Sequence, residues 1–248
     1  MRRRRFLTQS VGGASLMCLV ACSREKQPVS DLPVGARTYS TAFPLAENPV
    51  SEGGLWTNGG AIGLDWQNIQ TDRGLAFGVG PSIGYNDCIA CLSGLRSTRH
   101  SVWATVHRRP RYRPPSTHEV ELLVGFTISD HIASGYEINF GYGINVQAVR
   151  WNGSLSDFTP NGSGDWTDVG TGVGCPGGLA GGDVIGAMCD ASSGIVVITL
   201  YLNGRQVFSL KDTSPRAIKV GAPGMGFFAR KGPELEMSAY CLSDLTTS

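Results

Sequence analysis

Short alternating runs of apolar and polar residues are the feature that most constrains how this chain can fold. From Tyr39 onward these runs are separated by Gly, Pro, Asn and Asp, and no stretch keeps the periodicity of an amphipathic helix. Asn203-Gly204 stands between two such runs, at 198–202 and 205–210. Asn-Gly favours the positive φ angles of a tight two-residue turn, so these runs are predicted to form a β-hairpin. The pattern predicts an all-β protein, either a sandwich or a barrel.

Nine strands are predicted in this part of the chain. They lie at 101–107, 119–128, 136–140, 145–151, 184–189, 195–202, 206–210, 226–229 and 236–241. In the strand at 195–202, one alternating set is predicted to face inwards: Val196, Ile198, Leu200 and Leu202. All-β sandwiches reach this length of 248 residues as one domain, and no internal repeat divides the sequence. We therefore expect a single domain over 35–248.

The N-terminus has the organisation of an export signal. Four arginines at positions 2–5 precede Phe6-Leu7 and an uncharged stretch at 11–21, which is too short to span a bilayer with the ~20 residues that a helix needs. Residues 1–21 are therefore predicted to be a signal peptide. Arg3-Arg4-Arg5-Phe6-Leu7 resembles the twin-arginine signal, and an ordinary secretory signal is the alternative because it also begins with positive charge.

The signal ends in Leu19-Val20-Ala21-Cys22, which resembles the bacterial lipobox. The resemblance implies that the Cys22 thiol is acylated, and more than one acyl chain would hold the protein stably at a membrane. Ser23, in a context without Asp, implies sorting to the outer membrane, facing the periplasm or the cell surface. The polar, proline-containing residues 22–34 are predicted to be a tether.

The charge of the chain argues against nucleic acid as a partner. The formal net charge is +1, and removing the four arginines of the signal changes it to −3. Phosphate binding needs a clustered basic field, which a mildly acidic chain lacks.

Five cysteines remain after the signal and the lipidated position. This odd number permits at most two disulfides, which an exported protein would favour, and the pairing stays open among Cys88, Cys91, Cys175, Cys189 and Cys241. The C-x-x-C spacing of Cys88 and Cys91 occurs in metal and redox sites. Here it lies in an apolar strand-like run, where the two sulfurs would point to opposite faces. Buried thiols or a structural bridge are therefore expected.

Several blocks of the sequence, taken in order, resemble a known family. They are Asn48-Pro49, Gly53-Gly54-Leu55-Trp56, Tyr85-Asn86-Asp87, residues 135–140, 149–153 and 155–158, Gly182-Asp183-Val184, Tyr201-Leu202-Asn203-Gly204, and residues 221–227. Over residues 43–245 the chain resembles the bacterial laminin-G-like branch of the concanavalin A-like lectin and glucanase superfamily. The resemblance implies a jelly-roll sandwich of two antiparallel sheets, with ligands on the concave face or on loops at one rim. It does not imply an activity, because this superfamily contains lectins, carbohydrate-binding modules, glycosidases, polysaccharide lyases and protein-binding modules.

One pair of carboxylates has a spacing that suits glycosidase chemistry. Glu119 and Glu121 are two apart on a predicted strand, so both side chains point to the same face. The superfamily's glucanase motif resembles Glu, apolar, Asp, apolar, apolar, Glu. The sequence departs from it because residues 122–124 follow without a third acid. A solvated strand face is the alternative interpretation.

Other catalytic and metal-binding sets are incomplete. Lyases of this fold use Tyr or His with Arg or Gln, and the available residues do not align with a lyase motif: His107, Tyr136, Gln147 and Arg150. Four loop carboxylates could bind Ca²⁺ but lack a recognisable loop pattern: Asp157, Asp165, Asp168 and Asp183. No metal or cofactor is predicted.

Two features are candidate ligand contacts. A proline-rich loop carries four arginines that could bind an anionic polysaccharide or lipid head groups, unless it is only a solvated hairpin loop: Arg108, Arg109, Arg111 and Arg113. Trp151 and Trp166 lie beside glycine-rich turns, where an indole can stack on a sugar ring or serve as a core residue. Trp56, Trp66 and Trp103 are expected in the core.

The leading hypothesis is a lipid-anchored protein of the bacterial cell envelope whose β-sandwich binds carbohydrate without catalysis. The arginine loop with Trp151 and Trp166 would form its contacts. The first alternative is a polysaccharide lyase or glycoside hydrolase that uses Glu119, Glu121 or Tyr136. The second alternative is a protein-interaction module of an envelope complex, with an unknown partner.

Overall fold

The computed structural model of the protein describes residues 38–64, 66–79, 87–108, 118–141, 143–154, 166–228 and 235–245. The predicted signal peptide, Cys22 and the tether lie outside these ranges. In the part of the chain that the structure describes, no helix has the length and apolar character needed to cross a membrane.

Fifteen strands and one 3-10 turn, Gly60–Ile62, make up the regular structure of the described residues. The strands are β1 Thr38–Thr41, β2 Trp56–Asn58, β3 Ile69–Asp72, β4 Leu75–Gly78, β5 Asp87–Leu92, β6 Arg99–Arg108, β7 Glu119–Ser129, β8 Ile132–Phe140, β9 Asn145–Ser154, β10 Trp166–Val173, β11 Val184–Asp190, β12 Val196–Leu202, β13 Arg205–Asp212, β14 Ala222–Phe228 and β15 Leu235–Asp244. All nine predicted strands are present with shifted ends. A further strand, β5, covers the apolar strand-like run that contains Cys88 and Cys91, and the sequence patterns did not identify β1 to β4 or β10.

The strands form two antiparallel sheets. One has seven strands in the order β10-β9-β8-β7-β14-β5-β2. The other has eight, in the order β13-β12-β11-β6-β15-β4-β3, with β1 paired to β15. β7, β8 and β9 follow one another in sequence and are also hydrogen-bonded neighbours in one sheet. By contrast, β6 and β7 follow one another in sequence but belong to different sheets. The predicted two-sheet sandwich is confirmed.

Alternation along the strands places one set of apolar side chains between the sheets. Val196, Ile198 and Leu200 of β12 are fully buried there, as predicted, while Leu202 is only half-buried at the end of the strand. Leu202 pairs with Arg205 across the turn, where Asn203 and Gly204 both have positive φ. The predicted hairpin is therefore confirmed.

The space between the sheets also contains a charged pair. Arg150 of β9 donates a hydrogen bond to Asp212 of β13 over 2.5 Å, and the Tyr136 hydroxyl of β8 donates to the same carboxylate oxygen over 2.8 Å. The Ile218 backbone N–H donates to the Tyr136 hydroxyl. Because β13 belongs to the other sheet, this network ties the two sheets together.

The five cysteines of the domain are all buried: Cys88, Cys91, Cys175, Cys189 and Cys241. Cys88 lies in the core between the sheets, whereas Cys91 belongs to a second apolar cluster on the opposite face of the same sheet, as the strand spacing predicts. Burial raises the pKa of each of these two thiols to about 12, which removes the thiolate character that redox and metal chemistry need.

Candidate functional site

The face of the seven-stranded sheet that points away from the eight-stranded sheet, here called the outer face, carries the candidate site. Its apolar part is the second cluster, in which Trp66 and Trp151 meet edge to face with ring centroids 4.4 Å apart. Trp66 comes from the segment between β2 and β3, so this segment packs on the sheet. Beside the cluster, the same face bears polar side chains.

Four carboxyl groups gather on this face. Glu119 and Glu121 lie on β7, Glu137 on β8 and Asp87 on β5. Glu121 is directly opposite Asn139, two residues from Glu137 on the neighbouring strand. Glu119 and Asp87 both pair with Phe228 on β14, one from each side. The strands therefore bring together acids that are 50 residues apart in the sequence.

Gly226 on β14 makes room for the central carboxyl group. Glu121 pairs with Gly226, and a Cβ atom at this glycine would overlap the Oε2 atom of Glu121. The Glu121 side chain consequently lies across β14, on the side of Asp87 and β5. It is 0% exposed, and neither of its carboxyl oxygens has a hydrogen-bond partner among the described residues.

Glu137 is held by neighbours on the sheet. The Trp151 indole N–H donates to its Oε2 atom over 2.8 Å, and Asn139 also forms a side-chain hydrogen bond with it. The other amide atom of this asparagine, Oδ1, is buried and has no hydrogen-bond partner within the described ranges. Trp151 therefore positions a carboxyl group of the site, and its ring is only 2% exposed.

Burial dominates the electrostatics of the four acids. Burial, followed by the charge of Glu137, raises the pKa of Glu119 to about 8. Burial raises the pKa of Glu137 to about 7, although hydrogen bonds from Trp151 and Asn139 favour its charged form. For Asp87 and Glu121, burial and the neighbouring carboxylates hold the pKa well above its usual range. Groups perturbed in this way are typical of functional sites.

A row of polar side chains leads outwards from this cluster. Glu121, Asn139, Gln147 and Thr171 pair in turn across β7, β8, β9 and β10. Their exposure increases along the row, from the buried Glu121 and Asn139 through the half-buried Gln147 to the exposed Thr171. Gln147 donates to the Asp168 carboxylate on β10 over 3.1 Å. The row thus offers amide, hydroxyl and carboxyl groups from solvent to the buried cluster.

The structure brings together only some of the candidates from the sequence. Glu119 and Glu121 share the outer face, as predicted, but Glu121 is buried rather than solvated. Tyr136 lies between the sheets in the network with Asp212, away from both glutamates, and Arg150 lies there too. Trp151 is buried beneath the surface rather than displayed at a rim. Trp166 pairs with it and is half-buried on the same face.

The structure describes only some residues of the arginine loop and of the candidate calcium ligands. Arg108, at the end of β6, donates to the Leu179 carbonyl over 3.0 Å. Asp183 and Asp168 accept hydrogen bonds from nearby backbone and side-chain donors. Outside the described residues lie Arg109, Arg111, Arg113, Asp157 and Asp165. Within the described ranges, no three His, Cys, Asp or Glu residues are arranged to hold a metal ion.

Sequence reasoning missed Glu137 and Asp87 as members of the site. Glu137 and Asn139 alternate on the strand predicted at 136–140, which was the available signal for a polar face. The sequence could not show on which face of the sheet Glu137 and Asn139 would lie or which acids would be their neighbours. Both depend on the pairing of strands that are distant in sequence.

The comparisons with known proteins agree with the fold. No protein-family model matches the sequence, and neither does any curated protein. The exoplasmic/lumenal domain of VIP36, solved in a Ca²⁺- and Man3GlcNAc-bound form, superposes with a TM-score of 0.51 at 8% identity, covering 79% of this chain and 86% of that one. The metal-free carbohydrate recognition domain of Emp46p gives 0.50 at 12% identity, over 84% and 97% of the chains. The chain has a concanavalin A-like jelly-roll fold.

Proposed function

We propose that this protein binds carbohydrate on the outer face of the seven-stranded sheet. The observation that carries the proposal is the row Glu121, Asn139, Gln147 and Thr171, which crosses four strands and reaches solvent. Amide, hydroxyl and carboxyl groups in such a row suit the hydroxyl groups of successive sugars. The domains with similar folds described above include one solved with a bound mannose oligosaccharide, which supports this choice.

Trp166 supplies the aromatic contact in this proposal. It is half-buried on the same face and stands next to Trp151 in the sheet. An indole in this position can stack on the apolar face of a sugar ring while its edge stays solvated. Trp151 is buried next to Trp166 and does not contact the sugar in this proposal; its indole N–H positions Glu137 through a hydrogen bond.

The test is calorimetric titration of the purified protein with a panel of neutral, uronic, sulfated and amino-sugar oligosaccharides. Saturable heat with at least one glycan is expected, and Gln147→Ala should weaken that binding by about tenfold, the equivalent of ~1.4 kcal/mol. Gln206→Ala is the matched control, because this exposed amide lies on β13 of the other sheet. Silence over the whole panel would contradict the proposal and favour a protein partner.

A glycoside hydrolase is the second candidate, and the paired carboxyl groups on β7 favour it. Glu119 and Glu121 lie two residues apart on β7, so their side chains share one face. Their Cα atoms are roughly 6.6 Å apart at ~3.3 Å per residue. The raised pKa of Glu121 suits the general acid of glycoside hydrolysis, and Glu119, which is the more accessible of the two, would be the base once it is ionised, above its pKa of about 8. Sustained heat and reducing-end release, abolished in Glu121→Gln, would establish turnover. A lyase that uses Tyr136 gains no support from its position between the sheets.

We further propose that the protein is a lipoprotein of the bacterial envelope, anchored through Cys22. Support comes from the export-signal pattern of residues 1–21 and the Leu19-Val20-Ala21-Cys22 sequence. Metabolic labelling with a fatty acid should label the wild-type protein, and Cys22→Ser should lose the label together with membrane association. Substituting Arg3, Arg4 and Arg5 by lysine should block export if the twin-arginine route is used and leave it intact if the ordinary secretory route is used.

A further inference from the structure

Within the described residues, the strands of the seven-stranded sheet supply no positive partner to the carboxyl cluster on the outer face. Across the seven strands of this sheet, all within the described residues, Arg150 is the only lysine or arginine. Its guanidinium lies between the sheets, bound to Asp212. No strand of the sheet therefore places a lysine or arginine side chain toward the four acids.

In the part of the chain that the structure describes, the side chain of the central acid, Glu121, also lacks any hydrogen bond. Both oxygens of Glu121 are buried without a partner, and the Asn139 Oδ1 beside them is in the same condition. Buried polar atoms are normally satisfied, and each exception calls for an explanation such as an absent ligand. Three such acceptor atoms on two directly paired residues, Glu121 and Asn139, define a place for a donor of several hydrogen bonds.

The cluster has a side from which such a donor can reach it. Glu119 is only half-buried at the start of β7, whereas Glu121, Glu137 and Asp87 lie behind it. The charges of Glu137, Asp87 and Glu119 all raise the pKa of Glu121, and those of Glu137 and Glu119 raise the pKa of Asp87, so a positive charge beside Glu119 also acts on its neighbours. In a poorly solvated site this attraction is stronger than it would be in water.

We propose that this cluster binds the ammonium group of an amino sugar, so that the glycan recognised by the outer face carries free amines. The inference rests on the proposed carbohydrate binding and adds its chemical class. A primary ammonium offers three N–H donors and one positive charge, which match the unpartnered acceptors and the acidic character of the cluster. The polar row and Trp166 on the same face favour a sugar as the carrier of that ammonium.

The charge also disfavours the anionic glycans considered from the sequence. A uronate or sulfate at the outer face would meet four acids and no lysine or arginine from its strands. Above the pKa values of Glu137 and Glu119, about 7 and about 8, these acids are ionised, and like charges at close range in a weakly solvated site repel strongly. On this face, therefore, uronic and sulfated oligosaccharides are expected to bind more weakly than neutral ones.

The experiment compares three oligomers of equal length: glucosamine, N-acetylglucosamine and glucose, all β-1,4-linked. Titrations use the purified protein at about pH 7, where a primary amine with a pKa near ~8 is still largely protonated and Glu137, with a pKa of about 7, is partly ionised. We expect the glucosamine oligomer to bind at least about tenfold more tightly than the other two. Added salt should reduce this preference, because it screens the partly exposed contact at Glu119.

Glu119→Gln is the informative variant, because this residue is the most accessible of the four and its replacement keeps the shape. It should lower the preference to about twofold while affinity for the neutral oligomers is kept. Asp72→Asn is the matched control, since this exposed carboxylate lies on β3 of the other sheet and should leave the preference unchanged. The salt dependence of the wild-type protein tests the proposal even if a variant fails to fold.

Each other outcome has a distinct meaning. Equal affinity for the glucosamine and N-acetylglucosamine oligomers overturns the amino-sugar inference but leaves carbohydrate binding standing. Binding of none of the panel of glycans overturns both proposals. Binding that requires added Ca²⁺ and is abolished by a chelator would assign the cluster to a metal ion, and it overturns the ammonium proposal.

Discussion

Gly226 and Glu121 depend on each other on the outer face. The glutamate side chain occupies the space that a Cβ atom at position 226 would need. No positive φ requires glycine there, so the constraint is the space and not the backbone conformation. An acid in the middle of a sheet keeps its position here because the neighbouring strand has no side chain at the paired residue.

Gly226→Ala is therefore expected to displace the Glu121 carboxyl group while the sheet still forms. Overpacking of this kind costs about 1–3 kcal/mol of stability. Binding of the preferred glycan should weaken by about tenfold, because the acid no longer lies over β14. Titration calorimetry and thermal unfolding measure both effects. Gly181→Ala is the control, since an added Cβ would have its nearest neighbour 3.5 Å away. Unchanged binding in Gly226→Ala would remove Glu121 from the site.

For single residues, the sequence predicted which side chains share a face of one strand. It did not predict which side chains of different strands become neighbours. The spacing of Glu119 and Glu121 correctly placed both on one face, because side chains alternate along a strand. It could not show that Glu121 would be buried, since its cover comes from tertiary packing. Asp87 and Glu137 joined the site through the pairing of β5, β14, β7 and β8, which no local pattern encodes.

Among the elements, the strands found from the sequence are those with long apolar alternation. β6, β7 and β12 are long, with apolar residues on the inner face at every second position. The missed strands have weaker patterns: β1 to β4 have three or four residues each, and β10 contains two glycines and is largely exposed. Strands at or near sheet edges need less apolar sequence because their outer sides remain solvated.

The network between β9 and β13 gives a prediction at the scale of elements. Burial alone would raise the pKa of Asp212, but hydrogen bonds from Arg150, the Ser214 backbone and Tyr136 hold it below its usual range. Asp212→Ala would leave the Arg150 guanidinium buried without its counter-ion, which costs about 3–5 kcal/mol.

Chemical denaturation of the Asp212→Ala variant measures this loss. Asp190→Ala is the matched control, because its carboxylate pairs with Arg99 over 3.0 Å in a partly exposed ion pair within the eight-stranded sheet. Such exposed pairs contribute only about 0–1 kcal/mol. If both variants lost the same small amount, the buried network would not be what ties the sheets together.

For the whole molecule, the acid cluster sets how stability depends on pH. The fold raises the pKa of all four carboxyl groups above the values expected in the unfolded chain, and for Glu137 and Glu119 these reach about 7 and about 8. The folded state therefore binds more protons than the unfolded state in the intervening range. By linkage, stability is fully present below the unfolded pKa and is lost as pH rises through the folded pKa.

The thermal midpoint should thus be higher at about pH 5 than at about pH 8, with a fall of roughly 5–10 °C. Circular dichroism across this range measures it. Glu137→Gln should flatten the decline, because the amide cannot ionise and still accepts the Trp151 hydrogen bond. Asp212 does not contribute within this range, since its pKa lies below its usual value and its effect falls at lower pH. A midpoint that rises with pH up to about 8 would mean that the cluster is already ionised in the fold. A bound amino sugar should also reduce the fall of the thermal midpoint with pH, because its ammonium stabilises the carboxylates that form as the pH rises.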